Sequence, residues 1–267
     1  MSSDLPGFAS LGRWLNDPDN WLGSGGLLAH LREHLAFTVV IVLVAALIAI
    51  PAGIWMGHTG KGILLAGGFA NALRAVPALG LLILLIVELS PHIHSRTGVG
   101  NLLAPGALPY FIPAALVLVI LAVPPMLTNT YAGIQAVDPR AADAARGAGM
   151  SPLQVALRVE IPCAMPLILA GLRSATLQVI ASLTVAAYAP LVGGLGRLIV
   201  DGQQNLIDPS LGYPAMLGAG ITVAVLALVA DGAFALAGRY VISPGVSGRR
   251  IRGRGTAAPQ QSTLTES

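Results

Sequence analysis

The stretch LAFTVVIVLVAALIAIPAGIWM, from Leu35 to Met56, decides the fold class. It contains no charged residue, and it is long enough to cross the roughly 30 Å hydrocarbon core of a bilayer, which takes about 20 helical residues. Inside lipid a single segment satisfies its own backbone hydrogen bonds only as a helix. The stretch therefore predicts a transmembrane helix, here called span one.

The composition of the whole chain extends this prediction to an all-α integral membrane protein. Of 267 residues, 55% are hydrophobic and 10% are charged, whereas about a quarter of the residues in a soluble domain are charged. Glycine is abundant and aromatic residues are few, which suits helices that pack closely through small residues. The net charge of +3 is too small for a nucleic-acid surface, and the single Cys163 excludes an internal disulfide.

Four further apolar stretches predict a bundle of about five transmembrane helices. Span two is interrupted by Arg74 and Pro77, so its lipid-embedded part is expected to begin near Ala75. We predict three regions: a polar N-terminal lead (1–33), a membrane domain (34–238) and a basic, disordered tail (239–267). Spans two to five are predicted at Ile63–Leu89, Tyr110–Asn129, Leu167–Tyr188 and Tyr213–Leu236.

The basic residues predict how the bundle is oriented. An odd number of spans places the termini on opposite sides of the membrane. With the N-terminus outside, the inner segments hold nine of the 15 basic residues and the outer segments four, while Arg74 and Arg173 lie within spans. Cytoplasmic loops carry an excess of lysine and arginine. We therefore predict that the N-terminus is extracytoplasmic and the C-terminus cytoplasmic.

A polar insert between spans three and four, VDPRAADAARGAGMSPLQVALRVEIP (Val137–Pro162), predicts two short helices. Asp138 and Ser151 each precede a proline, and this pairing supplies an N-cap oxygen and a residue suited to the first helical turn. Gly149 offers the left-handed conformation that ends many helices. Pro162 is expected to end the second helix.

The second of these helices carries a small apolar face. Leu153, Ala156 and Leu157 follow helical spacing beside polar neighbours. Such a face either docks in the groove of a partner protein or folds back on the bundle of its own chain, and the residues alone leave both open.

The same insert resembles the EAA signature of ABC importer permeases. In that signature an acidic residue and two alanines are separated from a glycine by three residues, and an apolar-x-apolar-Pro group follows after nine more. An aspartate here replaces the usual glutamate. We call Val137–Pro162 the coupling loop, and the residues that match the signature are Asp143, Ala144, Ala145, Gly149, Val159, Ile161 and Pro162.

Other segments are similar to the subgroup of these permeases that imports glycine betaine, carnitine and choline. The similarity covers roughly residues 30–235. It includes RAVPALG at 74–80, NTYAG at 129–133 and GGLG at 193–196.

The resemblance implies a type I importer permease with a MetI-like bundle in the bacterial cytoplasmic membrane. It implies that the chain is no enzyme and binds no cofactor, since ATP and Mg belong to a separate cytoplasmic ATPase dimer that receives the coupling loop. A second permease subunit, identical or homologous, completes the membrane domain. An extracytoplasmic binding protein delivers a compatible solute: glycine betaine, choline, carnitine or proline betaine.

Charged groups within spans point to function because they are expensive in lipid. Arg173 and Asp231 are predicted either to pair with each other inside the bundle or to line a polar pathway. The other candidates for a translocation path or for polar contacts within the bundle are Arg74, Pro77 and Asn129.

Two other functions compete with the permease. An ion-gradient-driven secondary transporter of small polar solutes is expected to show inverted repeats, and the odd number of spans and the lack of visible repetition argue against it. A membrane-embedded enzyme is disfavoured because the spans show no Ser/Lys dyad, paired Asp or His-Glu-His helix. The segment HTGKG at 58–62 lacks the earlier glycine and the final Ser or Thr of a phosphate-binding loop. His92 and His94 have no ligand neighbours, so we predict no metal site.

Overall fold

The computed structural model describes residues 8–23, 25–94, 106–205 and 209–242. All regular structure in these ranges is helical. The α-helices are α1 (Phe8–Asn16), α2 (Leu27–Thr59), α3 (Ile63–Ala75), α4 (Ala78–Leu89), α5 (Leu108–Gln135), α6 (Pro139–Gly147), α7 (Pro152–Val155), α8 (Ile161–Ala186), α9 (Leu195–Gln204) and α10 (Pro209–Val241).

The predicted all-α membrane fold is confirmed. Four helical segments of the described chain are long and apolar enough to cross a membrane, and the number is five if the bent pair α3 and α4 forms one span. The helices extend beyond the predicted apolar stretches, because a helix continues into polar sequence wherever its backbone stays hydrogen bonded. The four unbroken segments are Leu27–Thr59, Leu108–Gln135, Pro152–Ala186 and Gly212–Val241.

The two ends of the chain relate differently to the predicted regions. α1 and the first turns of α2 lie within residues 1–33, so part of the predicted polar lead is helical. α1 packs on α10. At the other end α10 runs to Val241, and residues 243–267, which make up most of the predicted basic tail, lie outside the described residues.

Span two is broken into α3 and α4, whose axes are bent by 91°. Val76 is extended, with φ −77° and ψ 125°, and Pro77 follows it. A residue before proline disfavours the helical region, and proline has no backbone N–H to donate to the preceding turn. The break therefore falls where Pro77 was predicted to interrupt the span, and the helix resumes at Ala78.

α5 lies at the centre of the bundle, packed between α2 and α8. Glycines let these helices approach closely. A Cβ atom on Gly53 of α2 would lie 2.7 Å from Thr130 Cβ of α5, and one on Gly171 of α8 would lie 2.8 Å from Asn129 Cβ. The glycine-rich composition is thus used at the helix contacts, as small residues are in membrane bundles generally.

Contacts at opposite ends of the bundle show that α2 and α8, the first and fourth predicted spans, run antiparallel. At one end His58 of α2 meets Glu160, directly before α8, at 2.6 Å. At the other end the Gly194 N–H, before α9, donates to Glu33 Oε2 near the start of α2 at 2.9 Å. We call these ends the loop end and the turn end, since the coupling loop lies at the first and the 191–194 turn at the second.

Candidate coupling loop and transport pathway

The first helix of the coupling loop, α6, begins as the sequence predicts. The Asp138 side chain accepts a hydrogen bond from the Arg140 N–H at 3.0 Å, and Pro139 occupies the first turn. This cap satisfies one of the helix's unpaired N–H groups, and the proline has no N–H that would need a partner.

Gly149 makes the turn between the two helices. Its φ is +88°, in the left-handed region. The Gly149 N–H donates to Arg146 O at 2.9 Å and the Met150 N–H donates to Ala145 O at 3.1 Å, which satisfies carbonyls at the end of α6. A residue with a Cβ atom is strained at this φ. The glycine of the signature is therefore a backbone requirement.

The second helix starts with a capping box. The Ser151 N–H donates to Gln154 Oε1 at 2.9 Å, and the Gln154 N–H donates to Ser151 Oγ at 3.4 Å. Two N–H groups at the start of α7 are satisfied in this way.

The prediction that Pro162 ends this helix is wrong. Residues Ala156–Glu160 form a π turn, in which the Ile161 N–H donates to Ala156 O, and the helix runs on from Pro152 to Ala186. A proline inside a regular helix leaves a carbonyl one turn earlier without a donor and clashes with it. The wider turn shifts the carbonyls directly before Pro162. α7 and α8 therefore form one continuous helical segment.

The two helices of the coupling loop are joined by a small apolar cluster. Ala142 and Ala145 of α6 and Val155 of α7 are buried together, and Met150 and Val159 pack against them. Two members of the signature, Ala145 and Val159, thus hold the loop together. The cluster and the caps make the loop a compact unit.

The opposite face of the coupling loop is exposed. Leu153 and Leu157 are 68% and 56% exposed. Asp143 and Ala144 are also exposed, and Asp143 pairs with Arg146 of its own helix at 2.8 Å. The apolar face does not fold back on the bundle, and of its three predicted members only Ala156 is buried.

The coupling loop is anchored to the bundle at its C-terminal end. Ile161 packs against Ile134 of α5 and Ala164 of α8. Glu160, whose side chain is 8% exposed, meets His58 Nδ1 at 2.6 Å. Sequence reasoning missed this pair, because His58 was considered only within the HTGKG segment. The one available signal was that both residues lie at the same predicted membrane face.

Arg173 of α8 and Asp231 of α10 are brought together. Arg173 Nε donates to Asp231 Oδ1 at 2.5 Å. Of the two alternatives, the structure therefore shows a contact between them. The pair does not lie deep in the bundle, since the two side chains are 44% and 32% exposed on the surface of the single chain.

The remaining predicted pathway residues lie apart from this pair. Asn129 Nδ2 donates to Pro125 O of its own helix at 2.8 Å, at the contact with Gly171. Pro77 begins α4 at the break in span two. The side chain of Arg74 lies outside the described part of the structure.

A cavity of about 210 Å³ lies where the break in span two faces α5 and α8. Its polar groups are Gln178 and Ser182 of α8, which sequence reasoning missed. Together with the exposed Ser174 they follow i, i+4, i+8 spacing, which puts them on one face of the helix. This spacing was visible in the sequence. The cavity is lined by Leu73, Val76, Ala78, Leu121, Pro124, Pro125, Gln178 and Ser182.

Comparison with known families identifies the kind of protein that has this coupling loop and this bundle of membrane helices. Residues 49–242 match the family described as binding-protein-dependent transport system inner membrane component. The chain belongs to this family. The predicted ABC importer permease in the bacterial inner membrane is thereby confirmed over the ion-gradient-driven carrier.

Curated relatives belong to the predicted subgroup. The glycine betaine/carnitine/choline transport system permease protein OpuCB of Bacillus subtilis is 31% identical over 85% of this chain and 93% of its own length. The choline transport system permease protein OpuBB of the same organism is 32% identical, covering 83% and 91%. The carnitine transport permease protein OpuCB of Listeria monocytogenes is 35% identical, covering 77% and 83%.

Solved structures share the fold of this permease. A chain of the inward-facing MetNI methionine ABC transporter superposes with a TM-score of 0.66 at 20% identity, covering 85% of this chain and all of the other. A chain of an amino acid ABC transporter gives a TM-score of 0.62 at 20% identity, covering 90% and 100%. The predicted MetI-like bundle is confirmed.

Proposed function

We propose that this permease imports a small quaternary-ammonium compatible solute, such as glycine betaine, choline, carnitine or proline betaine, using ATP that a separate subunit hydrolyses. The cargo is proposed from the relatives, whose names give glycine betaine, carnitine, choline and proline betaine as what they transport. The chain has no phosphate-binding loop of its own. ATP and Mg are therefore assigned to the partner.

The observation that carries the proposal is the exposed face of the coupling loop. Leu153 and Leu157 project from a compact, doubly capped unit that is continuous with span four. An apolar helical face on a rigid support suits docking into a groove of another protein. We assign this groove to a cytoplasmic ATPase dimer, which requires the loop end to be cytoplasmic and the N-terminus to be outside.

The outward-facing polar groups of spans four and five support a second permease subunit. An ion pair such as Arg173–Asp231 is costly against hydrocarbon, because charges in spans normally face protein or water. The same reasoning applies to Ser174 of α8, which is exposed and continues the polar face that Gln178 and Ser182 form. A second subunit, identical or homologous, would cover these groups and enclose the translocation pathway between the two chains.

The cavity beside this stripe supports a pathway that passes its cargo without holding it tightly. The residues that line it include no aromatic ring and no charged group, whereas a tight site for a quaternary ammonium group uses an aromatic cage. Conduction requires binding weak enough for the solute to leave. Selection of the cargo is accordingly assigned to the extracytoplasmic binding protein.

Reconstituted transport tests the proposal. The permease is assembled in vesicles with its ATPase and binding protein, and ATP-dependent uptake of radiolabelled glycine betaine and choline is measured. Replacing both Leu153 and Leu157 with Asp is expected to abolish ATPase co-purification and uptake. Leu22→Asp, at an exposed leucine near the turn end, is the matched control and should leave both unchanged. Normal uptake by the double variant would refute the assignment of the coupling loop.

A further inference from the structure

The contact between Glu160 and His58 is unusual in its position and its burial. Glu160 is the last residue of the π turn and lies directly before α8. Its carboxylate is 8% exposed and meets His58 Nδ1 at 2.6 Å. A carboxylate removed from water is costly unless a partner satisfies it. His58 is thus a required neighbour of Glu160, although the two residues lie far apart in sequence.

Both partners are held by rigid surroundings. Next to His58, a Cβ atom on Gly57 would lie 2.6 Å from Ile134 Cβ, which shows that α2 packs closely against the end of α5. α2 then ends at Gly60, which has φ +70°. On the other side of α5, a Cβ atom on Gly133 would lie 3.1 Å from Ala164 Cβ of α8. The pair therefore spans the loop end of α5 and joins the helices on its two sides.

The coupling loop is joined to spans three and four through the backbone, so a movement of the loop displaces both spans. The loop follows α5 after a short tether, and its second helix continues into span four without a break. Span one has no such covalent connection to the loop. The hydrogen bond between His58 and Glu160 joins α2 to the end of the loop. A displacement of the second helix of the loop reaches α2 through this bond, beside the apolar contact that Ile50 and Ile54 of α2 make with the start of α8.

We propose that His58 and Glu160 act as a strut that carries the movement of the coupling loop into span one. They are positioning residues, since neither is assigned to the exposed face that meets the ATPase or to the cavity. Packed elements transmit small displacements when they shift as discrete units, and the strut makes α2 part of the unit that moves. This inference rests on the proposed function, because it presupposes an ATPase that displaces the loop.

The test measures how many ATP molecules are hydrolysed for each glycine betaine imported by the full reconstituted transporter. His58→Ala and Glu160→Ala are each expected to raise this ratio at least threefold while ATPase co-purification stays unchanged. The double variant should be no worse than the more severe single variant, because both changes remove the same contact. His58→Lys keeps an N–H donor for the carboxylate and should give a ratio near that of the wild type.

Lys61→Gln is the matched control, since Lys61 is exposed three residues beyond His58, and it should leave the ratio unchanged. If His58→Ala fails to accumulate in the membrane, His58→Lys and His58→Leu decide, with Leu, which has no donor, expected to raise the ratio and Lys not. An unchanged ratio in the Ala or Leu variants, or additive effects of the two single changes in the double variant, would contradict this proposal. Failure of the wild-type complex to import would instead contradict the proposed function.

Discussion

Replacing Gly149 with alanine isolates the backbone requirement of the coupling loop. Gly149 has φ +88°, and a Cβ atom built on it meets nothing within 4 Å. The whole cost therefore comes from placing an L-residue in the left-handed region, which is about 1–2 kcal/mol. A change of this size multiplies the fraction of opened loop by about 5–30.

Gly147→Ala is a control that makes the same substitution but is expected to have the opposite effect on stability. Gly147 lies at the end of α6, and a Cβ atom there also meets nothing within 4 Å. Gly147→Ala should stabilise the helix by about 0.5–1 kcal/mol, because glycine loses more conformational freedom in a helix than alanine does. Two substitutions of glycine by alanine, two positions apart, are thus predicted to act in opposite directions.

Limited trypsin digestion of inverted membrane vesicles measures both effects. Arg146 and Arg158 are exposed cleavage sites within the coupling loop. Cleavage follows the population of the opened loop when opening and closing are fast. Gly149→Ala should accelerate cleavage roughly 5- to 30-fold, and Gly147→Ala should slow it. Equal rates in the two variants, or faster cleavage of Gly147→Ala, would refute the reasoning from backbone conformation.

Three further predictions concern the bundle. Arg173→Ala should lower the amount of membrane-inserted protein, because it leaves Asp231 unpaired at a cost of about 3 kcal/mol; Asp231→Ala added to it should recover most of that amount, as judged by quantitative blotting. Gly193→Ala should displace the Glu33 carboxylate and break its bond to the next amide, with a loss of about 2 kcal/mol seen as a lower melting temperature; if Glu33→Ala in the same chain lowers the temperature further, the proposed contact is wrong. Ser182→Phe should fill the cavity of about 210 Å³ and stop glycine betaine uptake without reducing ATPase co-purification; full uptake would show that the cavity is not on the pathway.

The parts of the fold that depend on local chemistry were predictable from the sequence. The spans follow from apolar length alone, since a bilayer imposes one dimension on every helix that crosses it. The two starts in the coupling loop follow from Asp138 and Ser151, whose caps act within three residues. The break at Pro77 follows from the missing N–H of proline.

The parts that depend on tertiary contacts were not predictable. From the sequence, Pro162 is expected to end the helix, and the helix continues only because a π turn precedes the proline. The partners His58 and Glu160 are separated by 102 positions, and the sequence places them at the same predicted membrane face without pairing them. The stripe of Gln178 and Ser182 was visible as spacing, but the cavity that these two residues line depends on where the neighbouring helices pack.

Photo-crosslinking from position Leu157 in intact membranes tests the central claim most directly. A photoreactive amino acid there projects from the exposed face of the coupling loop, and one in place of exposed Leu22 at the turn end serves as the control. We predict that the probe at Leu157 crosslinks to the ATPase subunit, that ATP changes the yield, and that the probe at Leu22 gives no such product. Crosslinks from Leu157 confined to its own chain, or an ATPase product from Leu22, would contradict both the coupling function and the orientation.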